Sequence, residues 1–347
     1  MGVAHALTTS EVGDMPIHAR ALGNGARIGL GLAAVGRPAY INLGRDSDLG
    51  GHEGRTVAAM EARAHRLLDQ AWDADVRYFD AARSYGYAER FLGTWLREHP
   101  DRRPQLVLGS KWGYEYVGDW RVDAALHERK DHSLEMLSRQ WPESLQALGG
   151  VPDIYYIHSV TPESPALGDE GLLDRLRELA GTGMRIGLST SGPDQASVIE
   201  RALSLSDGPF QAVESTWNLL EQAAGDALER AHAAGWSVVI KEALANGRLA
   251  DAAQKADVGA DSASNSAAPG LAVARAAAHA GLSIQAFAFG VALAQPWASS
   301  VLSGAVTKEQ LAEGLAAQPL DVAAEQLAAL AVVPESYWNT RSNLSWA

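Results

Sequence analysis

VRYFDAARSYGYAERFLGTWLRE, residues 76–98, contains one complete structural step. Residues 76–80 form a short, largely apolar run that ends on Asp80, and six loop-like residues follow. From Tyr87 onward the apolar positions are 88, 91, 92, 95 and 96, the spacing of one helical face. The stretch therefore predicts a strand over 76–80, a loop bearing Tyr85 and a helix over 87–98. Outward from it the same step recurs. Strands are expected at 27–35, 105–111, 153–159, 184–189, 210–215, 236–242 and 301–305. Their helices are expected at 54–74, 131–148, 170–182, 193–205, 220–234, near 268–280 and at 307–316.

Strands that alternate with helices of about ten residues or more must pair in parallel through crossovers, and eight such units close a barrel. The reading is a (β/α)8 TIM barrel. An open doubly wound sheet competes with it, but GLGLAAVG at 29–36 has the glycines of a dinucleotide loop without the required spacing. Two segments fall outside the repeat. Residues 250–269, rich in Ala, Ser and Asp, read as a long loop before the seventh barrel helix. Residues 318–347, with Tyr337, Trp338 and Trp346, read as a C-terminal tail over the barrel mouth. The whole chain is expected to be one domain, with its barrel at about 25–316.

Composition narrows the partners. A hydrophobic fraction of 47% supports a large core, and a formal charge of -13 disfavours nucleic acid and anionic membrane surfaces. With no cysteine there can be neither disulfides nor thiolate metal sites. No basic segment followed by an apolar one opens the chain, and no run of 18 apolar residues occurs, so a cytoplasmic protein with small-molecule partners is expected. Oligomeric state is not legible.

In such a barrel the chemistry lies at the C-terminal ends of the strands. Asp80 ends the second strand, with Tyr85 on the loop after it; Lys111 ends the third strand and His158 the fourth. An ammonium beside a phenol favours the phenolate, and a carboxylate keeps that ammonium charged. A histidine can hold a carbonyl oxygen near the phenol. The set suits protonation of an oxygen while hydride arrives at its carbon. No side chain supplies hydride, so a nicotinamide cofactor is implied.

The chain resembles the aldo-keto reductase superfamily. The matching motifs are RYFDAARSYGYAERFLG, LGSKW, DIYYIHSV, GMRIGLST and VLSGAVTKEQLAEGLAA, in order along most of the barrel. The resemblance implies Tyr85 as the acid/base, with Asp80, Lys111 and His158 as its partners, and NADP(H) in preference to NAD(H), without a metal. It implies cofactor contacts from Ser189, Thr190, Glu214, Lys241, Glu242 and Leu244. In the last motif it implies Gly304, Ala305, Thr307, Lys308, Gln310 and Glu313. The chain departs from the family pattern at Thr190 (usually Asn), Glu214 (Gln), Lys241 (an aromatic ring), Gln310 (often Arg) and Gly314 (often Asn). Glu214 and Lys241 end neighbouring strands and are expected to pair with each other.

Tyr40, Tyr87, Trp112 and Trp217 are the expected substrate wall, within a wider set of aromatics that includes Tyr114, Tyr116 and Trp120. Arg37 and Arg45 read as surface charges able to receive an anion. The substrate is expected to be a small carbonyl or alcohol: an aldehyde, ketone or sugar. Two other readings compete with the reductase. One is a cofactor-binding regulatory subunit with little turnover. The other is a metal-dependent hydrolase using His158 and Asp80, which the scarcity of histidines at the mouth disfavours.

Overall fold

The computed structural model describes residues 27–41, 43, 45–250 and 268–346. Eight parallel strands close into a barrel: β1 (Ile28–Gly31), β2 (Tyr78–Asp80), β3 (Val107–Trp112), β6 (Ile154–Val160), β7 (Arg185–Thr190), β8 (Phe210–Thr216), β9 (Ser237–Lys241) and β10 (Ser300–Ser303). The remaining two, β4 (Tyr114–Tyr116) and β5 (Glu128–Lys130), form an antiparallel hairpin above β3. The expected (β/α)8 architecture is what the chain adopts.

Barrel strands are separated by helices whose apolar faces turn inward. Val57–Asp73 buries Met60, Ala64, Leu67, Leu68 and Ala71, and is capped by Thr56, whose hydroxyl accepts from Ala59 N. Ala88–Glu98 buries Phe91, Leu92, Trp95 and Leu96, the stripe predicted from spacing. Ser133 and Asp169 cap the helices Leu134–Leu148 and Glu170–Ala180.

Some segments differ from expectation. Strand β1 stops at Gly31, and Leu32–Val35 turns back on itself through Gly36 N donating to Leu32 O. The crossover after β9 contains two helices, Ala268–His279 and Ile284–Ala294, the second almost wholly buried and so lacking an amphipathic signature. The tail contains helices Ala324–Ala328 and Pro334–Ser342, which pack Tyr337 and Trp338 into the core. The expected long loop at 250–269 falls almost entirely outside the described residues. No single helix among the described residues is long and apolar enough to cross a membrane.

Strand alternation carries the interior into the site. Side chains two apart share a face, so five of the barrel strands each give one inward position and, a layer higher, one residue near the C-terminal end. The pairs are Tyr78 with Asp80, Gly109 with Lys111, Tyr156 with His158, Ala212 with Glu214 and Val239 with Lys241. Tyr78 and Tyr156 fill the lower layer with Val107, Ile154, Ala212, Val239 and Leu302. Gly187 admits the Tyr156 ring, which a Cβ there would meet at 2.4 Å.

Candidate active site

The upper layer opens into a cavity of about 410 Å³ lined by residues from most of the strand ends and from the tail. Asp80, Tyr85, His158, Glu214 and Lys241 line its inner end. Lys111, fully buried, lies directly behind them. Lys111 Nζ donates to Asp80 Oδ1, lies 3.1 Å from Glu214 Oε2, and points its remaining reach at Ala81 O, 3.4 Å away. Tyr85 Oη is 3.4 Å from His158 Nε2, and the His158 Nδ1 is 3.3 Å from Ser84 Oγ. The Lys111 ammonium sits 5.1 Å from the centre of the Tyr85 ring.

Tyr85 is placed by backbone geometry. Gly86 has φ +60°, and a Cβ on it would lie 2.5 Å from Gly36 O. A side chain there would therefore be strained twice over, by conformation and by contact. At the end of β6 the register slips between Ile157 and Val160, with Ser159 in the left-handed region at φ 52°. The irregularity turns His158 and Ser159 toward the cavity, a use bulges commonly serve.

Burial sets the electrostatics. It pushes the Tyr85 phenol well above its ordinary value; Lys111 pulls the other way, and Glu214 and Asp80 add to the rise. The expected lowering of this phenol by the ammonium is therefore outweighed, and Tyr85 is protonated at rest. Burial alone would lower Lys111, but Asp80 and Glu214 reverse this and keep it charged. His158 is driven well below the usual histidine value by burial, then by Lys111, Lys241 and Arg37, so it is neutral.

Several predicted cofactor contacts are placed elsewhere. Ser189 Oγ accepts from Ser159 N at 2.7 Å, and Thr190 Oγ1 lies within hydrogen-bond distance of Ser215 Oγ and Gln195 Oε1; both side chains are fully buried in the wall and outside the cavity lining. Ser159 and Ser191 line the cavity there instead. Glu242, Leu244, Gly304, Ala305 and Gln310 do line it. Thr307 caps the helix Lys308–Leu315 by accepting from Gln310 N, Lys308 is exposed on its first turn, and Glu313 accepts from Ser283. The expected Glu214–Lys241 pair does not form: they are two positions out of register, since Lys241 lies opposite Thr216, and Glu214 turns to Lys111.

Among the aromatics, Tyr40 and Tyr114 line the cavity. Trp112 is fully buried against Met136 and Leu137, and Trp217 packs edge-on against Trp297; neither is a wall. Tyr87 points outward and stacks on Trp120. The wall comes instead from the tail: Trp346 meets Tyr40 edge-on, stacks on His127 and covers the Arg37 guanidinium. Arg37 and Arg45 are buried, contrary to the surface reading. Arg37 pairs with Glu128 at 2.6 Å, and Arg45 donates to the carbonyls of Ala34, Pro38 and Arg37. Arg341 pairs with Glu242, and both line the cavity. The Arg37–Glu128 and Arg341–Glu242 pairs span 91 and 99 positions of sequence, and no local pattern signals them.

The fold is of the (β/α)8 class with a cluster of ionisable residues at its mouth, and comparison with known proteins gives the family. The sequence model of the Aldo/keto reductase family matches residues 47–333, and the chain belongs to that family. It is 29% identical over 262 residues to the pyridoxal 4-dehydrogenase of Microbacterium luteolum, covering 67% of this chain and 72% of that one. It is 26% identical over 219 residues to a D-threo-aldose 1-dehydrogenase of a Pseudomonas species, covering 58% of this chain and 65% of that one. A crystal structure described as an aldo-keto reductase from Pseudomonas aeruginosa superposes with a TM-score of 0.58 at 21% identity, over 89% of this chain and 98% of that one. That likeness shows the shared fold.

Proposed function

We propose that the chain transfers hydride between a nicotinamide dinucleotide and a small carbonyl or alcohol substrate, with Tyr85 giving or taking the proton on the substrate oxygen. The observation that carries this reading is the meeting of Tyr85, His158, Lys111 and Asp80 at one end of a single cavity. Tyr85 Oη and His158 Nε2 face that cavity 3.4 Å apart, so one substrate oxygen can contact both. Neutral His158 orients the oxygen without adding charge. Protonated Tyr85 donates to it when a carbonyl is reduced, and the Tyr85 phenolate takes the hydroxyl proton when an alcohol is oxidised. Lys111 favours the phenolate that each turnover passes through.

The residues fit an elongated dinucleotide. From Tyr85 the lining runs past Ser191, Lys241 and Leu244 to Gly304 and Ala305, where a Cβ on Gly304 would meet nothing within 4 Å. The N-terminus of Lys308–Leu315 follows, with backbone N–H groups and the exposed Lys308 beside it. Bound there, the cofactor would supply or accept the hydride. Lys308, an exposed cation on that first turn, supports NADP(H) over NAD(H) because an ammonium there can meet a 2'-phosphate. The relatives named for pyridoxal and for an aldose support small hydroxylated carbonyl compounds, or the alcohols and hemiacetals they interconvert with, as the substrate class.

A spectrophotometric assay tests the reading. Both cofactors are run in both directions against aromatic aldehydes, pyridoxal and aldoses. Turnover by the wild type that Tyr85→Phe loses is expected. Tight cofactor binding with no turnover across the panel would favour a regulatory binding subunit instead.

A further inference from the structure

The inner end of the cavity carries one more carboxylate than a tyrosine, lysine and aspartate set requires. Asp80 and Glu214, each 1% exposed, both approach the ammonium of fully buried Lys111. The groups facing them come from every neighbouring element. Tyr78 from β2 points its hydroxyl at Asp80 Oδ2, 3.4 Å away, and in turn meets Tyr156 from β6 at 3.1 Å. Tyr85 and His158 lie above. Lys241 from β9 is the other nearby cation, its ammonium pulled below the usual lysine value by burial. Arg37, beyond the Tyr85 ring, is paired with Glu128.

With Tyr78, Tyr156, Tyr85 and His158 neutral, and with Glu242 the stronger counter-charge of Lys241, Asp80, Lys111 and Glu214 settle their charge among themselves. If both carboxylates ionise, the group is a net anion in an almost fully buried site. If one proton is retained, the group is neutral. Like charges in one buried site favour holding that proton. Burial, then the Glu214 carboxylate, push the Asp80 carboxyl well above the usual aspartate value against the pull of Lys111.

We propose that Asp80, Lys111 and Glu214 form a proton-holding triad, which releases its proton to solvent when oxidised nicotinamide cofactor binds and keeps it when reduced cofactor binds. Glu214 is the positioning residue that creates this coupling. The inference rests on the hydride-transfer reading, through one step of chemistry. Hydride passes to or from the carbon whose oxygen meets Tyr85, so the cofactor ring must lie close to Tyr85, and the Lys111 ammonium is 5.1 Å from that phenol's ring. The oxidised ring is a cation and favours the anionic, proton-free triad. The reduced ring is neutral and leaves the triad protonated. In Glu214→Gln the remaining Asp80 and Lys111 are a neutral ion pair with no proton to give. The side chain keeps its shape, so a purely steric role would be preserved.

Isothermal titration calorimetry at about pH 7.5, in buffers of differing ionisation enthalpy, counts the protons. The titrants are NADP+, NAD+, NADPH and NADH. Wild type is expected to release roughly half to one proton per oxidised cofactor bound and close to none per reduced cofactor. Its affinity for oxidised cofactor should rise several-fold between about pH 7 and pH 8. Glu214→Gln should abolish both effects, and Lys241→Met should retain the release. Wild-type binding without proton release would overturn the triad and leave the hydride-transfer reading standing. So would release that survives Glu214→Gln but disappears in Lys241→Met, because the proton would then come from Lys241. Failure of both cofactors to bind at all would remove the hydride-transfer reading and this inference with it.

Discussion

Arg341, six residues from the C-terminus, reaches back across 99 positions to grip both carboxylate oxygens of Glu242 at the end of β9. Glu242 sits in the left-handed region at φ 58°, so the ion pair holds the tail helix to a strained strand end at the cavity rim. Burial would raise Glu242, but Arg341 and then Lys241 outweigh it and hold it down to about 2. Arg341→Met should leave a buried, unpaired carboxylate and cost about 3 kcal/mol, read as a fall in Tm. A folded-state value below the unfolded one means that this stability is complete above the unfolded glutamate range, near ~4.3. It is lost as pH falls from there through about 2. Glu242→Gln should flatten the pH dependence of unfolding in that window and leave it unchanged at neutral pH.

Tyr85→Phe should lower kcat by roughly 10²-fold to 10⁴-fold or more while the cofactor Kd stays near wild type. It removes the transferable proton and little contact area. Lys111→Met should also suppress turnover, and in addition should destabilise the fold by stranding Asp80 and Glu214. Near wild-type kcat in Tyr85→Phe would remove Tyr85 from the chemistry.

Gly86→Ala tests the loop that places Tyr85. The new Cβ meets Gly36 O at 2.5 Å and forces a left-handed residue to carry a side chain. A loss of about 1–3 kcal/mol in stability is expected. Activity should fall further than stability alone explains, because the displaced backbone is adjacent to the phenol. An alanine variant with unchanged Tm and kcat would contradict the geometry.

Lys308→Ala should raise KM for NADPH several-fold and leave KM for NADH nearly unchanged, since an exposed ammonium at a helix N-terminus discriminates only by the extra phosphate. Equal changes for both cofactors would show that Lys308 does not read the 2'-phosphate.

His158 should remain neutral throughout the working range. Its burial and the surrounding Lys111, Lys241 and Arg37 all oppose protonation. NMR of its ring should show no titration between about pH 5.5 and 8, where an ordinary histidine changes charge. A midpoint near ~6.5 would mean that the ring is solvated.

The sequence by itself determined the barrel and the nucleus of its candidate site. Short apolar runs followed by period-3.6 helices are local patterns, and eight repeats leave few topologies. Asp80, Lys111 and His158 were legible because a strand end fixes both depth and direction. Ile284–Ala294 was missed because a helix buried on all sides has no polar face to mark it. Tertiary structure decided which side chains have free valence toward the cavity. Ser189 and Thr190 stand at the expected positions, yet their hydroxyls are taken by Ser159 N and by Gln195 and Ser215. Glu214 was expected to pair across to Lys241, but the register of β8 against β9 and the depth of Lys111 turned it inward. Trp346, Arg37 and Arg341 reach the mouth only because the C-terminal tail folds back over the loop after β1 and the end of β9. Spacing along a chain encodes what a segment repeats with itself; it does not encode which distant group will claim a hydrogen bond or an ion.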